Sequence, residues 1–379
     1  MRRLSRRKTL IGAAAAAAVL ACGSLADAFW TADVASSSAR PCDIYAGAGT
    51  PCVAAYSTVR ALYHDYNGPL YQVTRAFDGA RANIGVLKPG GFADAAAQDT
   101  FCAGAVCTIT RIYDQSPDRN DLGVGPVGQH GAQDSAANAS ALPVTVDGHH
   151  VYGLYIQPGD GYRNDVTRGV AVGRQPQGAY MVTSATDTNG LCCFDFGNAE
   201  TSGTDAGNGH MNAISFTGLR GAGADPNSAG PWVQADLENG LFASNGAGPG
   251  GNAGNTDEFV TAIVNSNGST MFDVKDGDAQ SGRLTTDYSG PLPYLGGYVP
   301  LEQEGAIILG TGGDNSNQSS GFFFEGVLTA GFPSAATDNA IQANIVATGY
   351  QQLTPVTEVA TLPAGGGKRG GPGRRLTPA

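Results

Sequence analysis

Short apolar runs separated by Gly, Asn, Asp and Pro recur along the chain. Val151-Tyr152-Gly153-Leu154-Tyr155-Ile156, Phe259-Val260-Thr261-Ala262-Ile263-Val264 and Gly305-Ala306-Ile307-Ile308-Leu309 are strand-sized, and runs of this length between turn-forming residues predict β-strands. One stretch is spaced differently. Ile341, Ile345 and Val346 form an apolar stripe within Thr337 to Tyr350 after a Ser/Thr-rich start, which predicts one short helix near the C-terminus. Many strands and a single helix imply an all-β sandwich or jelly roll.

Composition supports that reading. The 379 residues include 56 Gly and only 15% are charged, so long stretches lack helix formers. No composition break or internal repeat appears between about Phe29 and Pro355, and one β-sandwich domain is expected over 29–356. The ends differ from it. Arg2-Arg3 and Arg6-Arg7, an apolar run from Thr9 to Ala21 and Ala26-Asp27-Ala28 follow the order of an export signal over 1–28. Ser5-Arg6-Arg7-Lys8-Thr9-Leu10 resembles a twin-arginine address. The apolar run falls short of the roughly 20 residues a bilayer crossing needs, so stable membrane insertion is not expected. Lipidation at Cys22, which follows Val19-Leu20-Ala21, is the alternative anchor. At the other end, 357–379 ends in a Gly-rich basic stretch from Gly365 that cannot bury apolar surface and is expected to be a disordered tail.

Net charge is −11, and five of the 22 basic residues lie in the first 28, so the body is more acidic than the whole. Such a surface repels phosphate backbones, and no nucleic-acid partner is expected.

Six cysteines remain beyond Cys22, an even number suited to an oxidising compartment. Cys42 with Cys52 and Cys102 with Cys107 bracket short loops that a disulfide could close. Cys192 and Cys193 are adjacent, and either stay free as buried thiols or bond to each other. With five His and no Cys-x-x-Cys pair beside them, no metal site and no organic cofactor is expected.

Gly-x-Ser-x-Gly, His-Glu-x-x-His and phosphate-loop motifs are all missing, which removes support for serine hydrolase, zincin and nucleotide-driven chemistry. Carboxylates in Gly- and aromatic-rich context remain, and glycoside hydrolysis needs two of them. In Trp232-Val233-Gln234-Ala235-Asp236-Leu237-Glu238-Asn239-Gly240, a continuous strand would point Trp232, Gln234, Asp236 and Glu238 to one face as a sugar-binding surface. A solvated outer strand face is the plainer alternative, though it does not account for the Trp. In Gly305 to Asn317 a buried strand runs into Gly310-Thr311-Gly312-Gly313-Asp314. The glycines would let the backbone approach a ligand, whereas a self-capped Asp-Asn turn is the structural alternative.

These segments, with Pro41-Cys42-Asp43-Ile44-Tyr45, Ile112-Tyr113-Asp114-Gln115-Ser116, Gly161-Tyr162-Arg163-Asn164, Cys192-Cys193-Phe194-Asp195-Phe196-Gly197-Asn198-Ala199-Glu200 and Phe324-Glu325-Gly326-Val327, resemble in order the catalytic domain of the α-L-arabinofuranosidases of glycoside hydrolase family 54. The resemblance implies a jelly-roll, concanavalin-like sandwich and an exo-acting, retaining hydrolase. Its nucleophile would be Glu238 and its acid/base Asp314. Asp236, Asn239 and the backbone at Gly313 would hold the sugar hydroxyls, and a Cys192–Cys193 disulfide would pack against the ring. Glu238 is then expected to be ionised and Asp314 protonated in the free protein. The implied partner is an arabinan- or arabinoxylan-type polysaccharide, with the protein exported and monomeric. Another furanosidase or a β-xylosidase is the neighbouring alternative, and a noncatalytic lectin-like module is the one from a different class.

Two departures from the family are visible. Family members carry a Trp before the Gly-Ala-Gly stretch, and Phe216-Thr217-Gly218-Leu219-Arg220-Gly221-Ala222-Gly223 has none, which bears on substrate preference rather than reaction type. The fungal members also continue into a C-terminal arabinose-binding β-trefoil. The sequence does not continue into one, so weaker anchoring to insoluble polymer is expected unless the basic tail substitutes.

Overall fold

A computed structural model describes residues 39–245, 250–293 and 297–353. The expected export signal, Cys22 and the basic tail lie outside the described residues.

Two antiparallel sheets make up most of the structure. One has six strands in the order Cys52–Ser57, Glu325–Ala330, Gln177–Thr183, Val260–Ser266, Phe272–Asp278 and Thr285–Gly290. The other has ten, in the order Leu241–Phe242, Trp232–Asp236, Asn212–Thr217, Asp195–Ala199, Ala306–Leu309, Tyr162–Asn164, Leu122–Val124, Cys107–Ile112, Pro69–Arg75 and Arg81–Gly85. Alternation along the strands sorts the side chains. Phe196, Ile214, Phe216, Val233, Ala235, Ile307 and Leu309 all enter the main buried cluster, which also takes in Tyr180, Val182, Ile263 and Leu328 of the six-stranded sheet. A core shared by two sheets is the sandwich arrangement that the run lengths predicted.

The expected strands form, with one adjustment. Phe259–Val264 and Gly305–Leu309 become Val260–Ser266 and Ala306–Leu309, but the run at 151–156 is split into His149–Tyr152 and Leu154–Ile156. A Cβ at Gly153 would press on Leu142 and Phe324, so the chain breaks pairing where only glycine fits.

The C-terminal helix is Ala335–Val346, capped by Ser334, whose side chain accepts a hydrogen bond from Thr337 N at 3.2 Å. Ile341 and Ile345 are buried as the stripe required. Two further helices, Pro41–Gly47 and Ala95–Phe101, were not anticipated, because seven residues are too few to show a helical period. Disulfides Cys42–Cys52 and Cys102–Cys107 tie each of them to a strand.

A buried ion pair links these layers. Arg60 Nε and Nη2 donate to Glu325 at 2.5 and 2.6 Å, and both side chains are almost wholly buried. Tyr180 and Tyr350 donate to the same carboxylate at 3.1 and 3.2 Å, while Arg60 Nη1 reaches Asn344 Oδ1 of the helix at 3.1 Å.

Candidate active site

The strand Trp232–Asp236 pairs antiparallel with Leu241–Phe242, and Leu237 N donates to Gly240 O at 3.4 Å across the tip. That leaves Glu238 and Asn239 as the two turn residues, with φ of 64° and 56°. Both are left-handed, as a tight hairpin turn of the I′ type demands, and this geometry normally favours Asn-Gly or Gly. A glutamate held there is conformational strain of the kind that collects at functional sites. The continuous-strand expectation is therefore corrected: Glu238 is aimed by the turn, not by the pleat.

Asp236, the last strand residue, fixes that turn, since Glu238 N donates to Asp236 Oδ1 at 3.0 Å. Asn239 Nδ2 donates to Asp205 Oδ1 at 3.2 Å. Trp232 and Gln234 do share the face of Asp236, but neither lines the cavity. Trp232 is 2% exposed and packs with Ala224 and Ala243. Gln234 accepts from Gly221 N at 2.7 Å and donates to Leu219 O at 2.9 Å. Both thus support the loop where the family Trp is missing, and Leu219 and Arg220 from that loop stand at the cavity, with Trp232 behind the Arg220 guanidinium at 5.7 Å.

Asp314 arrives from the opposite side. Beyond the strand Ala306–Leu309 the chain turns through Gly312 and Gly313, with Gly312 N bonded to Ser316 O at 2.8 Å and Ser316 N to Asp314 Oδ1 at 2.9 Å. His130 N donates to Asp314 O at 3.1 Å, and His130 Nε2 lies 3.6 Å from Asp314 Oδ2. The self-capped turn seen as the structural alternative is thus present, and it presents the carboxylate rather than excluding it. Buried Arg163 braces the loop by donating to Gly313 O at 2.6 Å and to Glu200 O. Gly313 has no room for a side chain, because a Cβ there would overlap Glu200 Oε2 and crowd Met211 Sδ.

Cys192 and Cys193 are disulfide-bonded. Gly312 packs so closely on them that a Cβ would sit 3.0 Å from Cys193 Sγ. Cys192, Cys193, Asp236, Glu238, Asn239, Gly313 and Asp314 all line one cavity of about 320 Å³, so the residues nominated by the family resemblance are brought together, while Trp232 and Gln234 stand outside it.

Two further acids belong to the site. Glu200 and Asp195, at the ends of one buried strand segment, are 0% exposed. A carboxylate oxygen of Glu200 lies within 4.8 Å of one of Glu238, Asp195 feels the charge of Asp236, and the carboxylate oxygens of Glu200 and Asp195 take no hydrogen bond among the described residues. Among the described residues no Lys or Arg pairs with any of the four. Burial first, then the charge of Glu200, pushes the Glu238 carboxyl up to about 9. Burial raises Asp236 to about 6 despite the Glu238 N–H and the Asp195 contact, which pull it down, and burial with the charge of Asp236 raises Asp195. Against the expectation of a simply ionised Glu238, burial and the neighbouring Glu200 charge favour a proton on its carboxyl, because two adjacent carboxyls do not both ionise readily. Asp195 and Glu200 sit in Phe194-Asp195-Phe196-Gly197-Asn198-Ala199-Glu200. The sequence shows both acids beside buried apolar residues, but not that they stand next to Glu238 and Asp236.

One carboxylate oxygen each from Glu200, Asp205 and Glu238 lies within 4.8 Å of the others, a spacing a hard divalent cation could bridge. The neighbouring group of Cys192, Cys193 and Asp236 offers no thiolate, its sulfurs being in the disulfide.

The family model for "Alpha-L-arabinofuranosidase B, catalytic" matches residues 41–351. The chain belongs to this α-L-arabinofuranosidase B catalytic-domain family. A probable α-L-arabinofuranosidase B of Aspergillus clavatus is 50% identical over 335 residues, covering 86% of this chain and 65% of that protein. A protein of Trichoderma koningii named arabinofuranosidase/B-xylosidase is 50% identical over 337 residues, covering 86% of this chain and 66% of its own length. Among solved structures, an arabinofuranosidase complexed with arabinofuranosyl-α-1,2-xylobiose superimposes with a TM-score of 0.79 at 46% identity, covering 82% of this chain and 65% of that one. A family 54 enzyme soaked with a cyclic sulfate inhibitor gives the same score and identity. The chain thus spans just under two thirds of the length of the α-L-arabinofuranosidases it matches.

Proposed function

We propose that the protein is an exo-acting, retaining α-L-arabinofuranosidase that removes terminal arabinofuranosyl units from arabinan- or arabinoxylan-type polysaccharides. The observation that carries this reading is the meeting of Glu238 and Asp314, from two separate braced loops, in one small cavity beside a disulfide of adjacent cysteines. Membership of the α-L-arabinofuranosidase B family supports the same substrate class.

In this mechanism Asp314 donates its proton to the glycosidic oxygen while the Glu238 carboxylate attacks the anomeric carbon, breaking the bond to the aglycone and forming a glycosyl ester. Asp314 then takes a proton from water, which attacks the same carbon and releases Glu238. Glu238 attacks only as the carboxylate, so it must first give up its proton, and Glu200 beside it is the group placed to take it. Asp236 accepts both the Glu238 N–H and a sugar hydroxyl, and Asn239 with the Gly313 backbone orients the ring. The cavity is built from one chain's residues, so the reaction needs no residue from a second subunit. Export fits the same reading, from the arginine pairs and apolar run of 1–28 and from three disulfides.

A panel of 4-nitrophenyl glycosides, with the first-formed anomer followed by NMR, tests substrate and stereochemistry together. The α-L-arabinofuranoside should be the best substrate, with retained configuration; inversion would remove Glu238 as nucleophile. The T. koningii relative's double name makes β-D-xylopyranoside the second substrate to include, and Leu219 and Arg220 at the rim are where a preference between the two would be set.

A further inference from the structure

A second cleft, of about 650 Å³, shares no lining residue with the catalytic cavity. It lies between the segment from Tyr63 to Pro69 and the turn from Tyr113 to Asp121. In the ten-stranded sheet, the strand Cys107–Ile112 that leads into it stands four positions from Asp195–Ala199. At ~4.8 Å per strand that is roughly 19 Å.

Its walls are aromatic and its rim is charged. Tyr66 Oη donates to Pro69 O at 2.5 Å, and Tyr113 Oη donates to Asn83 Oδ1 at 2.9 Å while accepting from Gln72 Nε2 at 3.3 Å. Those hydroxyls are tied back into the protein, which fixes the rings. Tyr63 is half-buried, and its hydroxyl makes no hydrogen bond among the described residues. Asp65 and Arg119 are exposed at the rim, and neither side chain has an ion-pair partner among the described residues. The floor is rigid. Buried Asp114 accepts from Ala55 N at 2.8 Å, Ser116 N at 2.8 Å, Ser116 Oγ at 2.6 Å and Asn120 N at 2.7 Å.

We propose that this cleft is a second binding site for a neutral oligosaccharide, holding the polymer while the catalytic cavity removes its side groups. Fixed tyrosine rings offer flat apolar faces with polar edges. Unpaired carboxylate and guanidinium groups beside them accept from and donate to hydroxyls. A polyanion is disfavoured by the protein's net charge of −11 and by Asp65 and Asp121 in the lining. Because the cleft is preformed, little ordering entropy is lost on binding. A polymer held in this cleft of the same molecule raises the effective concentration of its branches at the cavity. The choice of ligand rests on the arabinofuranosidase reading; the cleft's existence does not.

The test is isothermal titration of the Glu238→Gln protein with xylohexaose, which has no arabinofuranosyl end for the catalytic cavity, and with α-1,5-arabinohexaose. Binding of xylohexaose weakened at least fivefold by Tyr63→Leu, and likewise by Asp65→Ala with Arg119→Gly, is the expected result. The second variant touches only exposed side chains and keeps the test open if the first fails to fold. In the Glu238-containing protein, the same changes should leave hydrolysis of 4-nitrophenyl α-L-arabinofuranoside within about twofold and slow release from arabinoxylan. Arabinohexaose responding where xylohexaose does not would assign the site to arabinan rather than xylan backbone. Variants that bind both sugars like the parent, or a parent that binds neither, would overturn the second site. Loss of 4-nitrophenyl arabinofuranoside activity in the parent would overturn only the catalytic reading.

Discussion

Glu238 N donates to Asp236 Oδ1 at 3.0 Å, so the carboxylate ending the strand holds the left-handed turn that aims the proposed nucleophile. If Asp236 also binds a sugar hydroxyl, one residue couples substrate binding to nucleophile geometry. Asp236→Ala should then reduce kcat/KM by at least about 100-fold, the usual scale for losing one preorganised site group. Steady-state kinetics with melting curves would check this. A loss confined to thermal stability would make Asp236 purely structural.

After burial, the charge of Glu200 is the largest influence raising the Glu238 carboxyl. A carboxyl ordinarily near 4.5 stands up to about 9 through burial and then the Glu200 charge, so removing that charge lowers it and the ionised form persists to lower pH. Glu200→Gln keeps a hydrogen-bond donor and should shift the acid limb of the kcat/KM profile to lower pH by about one unit or more, each unit being about 1.4 kcal/mol. Glu200→Ala removes the donor and should lower kcat as well. Unchanged pH limbs in both variants would show that the Glu200 charge does not raise the Glu238 carboxyl.

Gly313 packs directly against Glu200 and Met211 at the cavity. In Gly313→Ala the new Cβ would meet Glu200 Oε2 and Met211 Sδ, displacing Asp314 or the Glu200–Glu238 pair. A misplacement of about 1 Å costs on the order of 100-fold in rate. Turnover of 4-nitrophenyl α-L-arabinofuranoside should fall by that scale while the far-UV circular dichroism stays unchanged.

Glu325 is a stability prediction far from the chemistry. Its carboxylate takes two bonds from buried Arg60 and one each from Tyr180 and Tyr350. Glu325→Ala leaves a buried guanidinium uncompensated, and urea unfolding should show a loss of about 3–5 kcal/mol. A change below about 1 kcal/mol would mean that Arg60 finds another partner.

Much of this architecture was readable in the sequence, for identifiable reasons. Val260–Ser266 and Ala306–Leu309 are continuous apolar runs between turn formers, and burial on both sides needs nothing more to predict them. Cys42–Cys52 and Cys102–Cys107 follow from short loops. Local context singled out Asp236, Glu238 and Asp314, but their roles and their meeting in one pocket came from family resemblance, because a hairpin and a distant turn that converge leave no shared local signal. Trp232 was misassigned to the sugar face: alternation gives its side of the sheet, but not that Ala224 and Ala243 cover it. Glu200 was missed because its meaning depends on standing beside Glu238, and only the folded chain brings them together.

The central claim is that Glu238 forms the covalent bond to the sugar. The most direct measurement is peptide mass spectrometry after inactivation with a 2-deoxy-2-fluoro-α-L-arabinofuranosyl fluoride, which slows release of the intermediate. The account predicts a single glycosyl adduct on Glu238, absent from Glu238→Gln. An adduct on Glu200, Asp236 or Asp314, or turnover with no adduct at all, would contradict it.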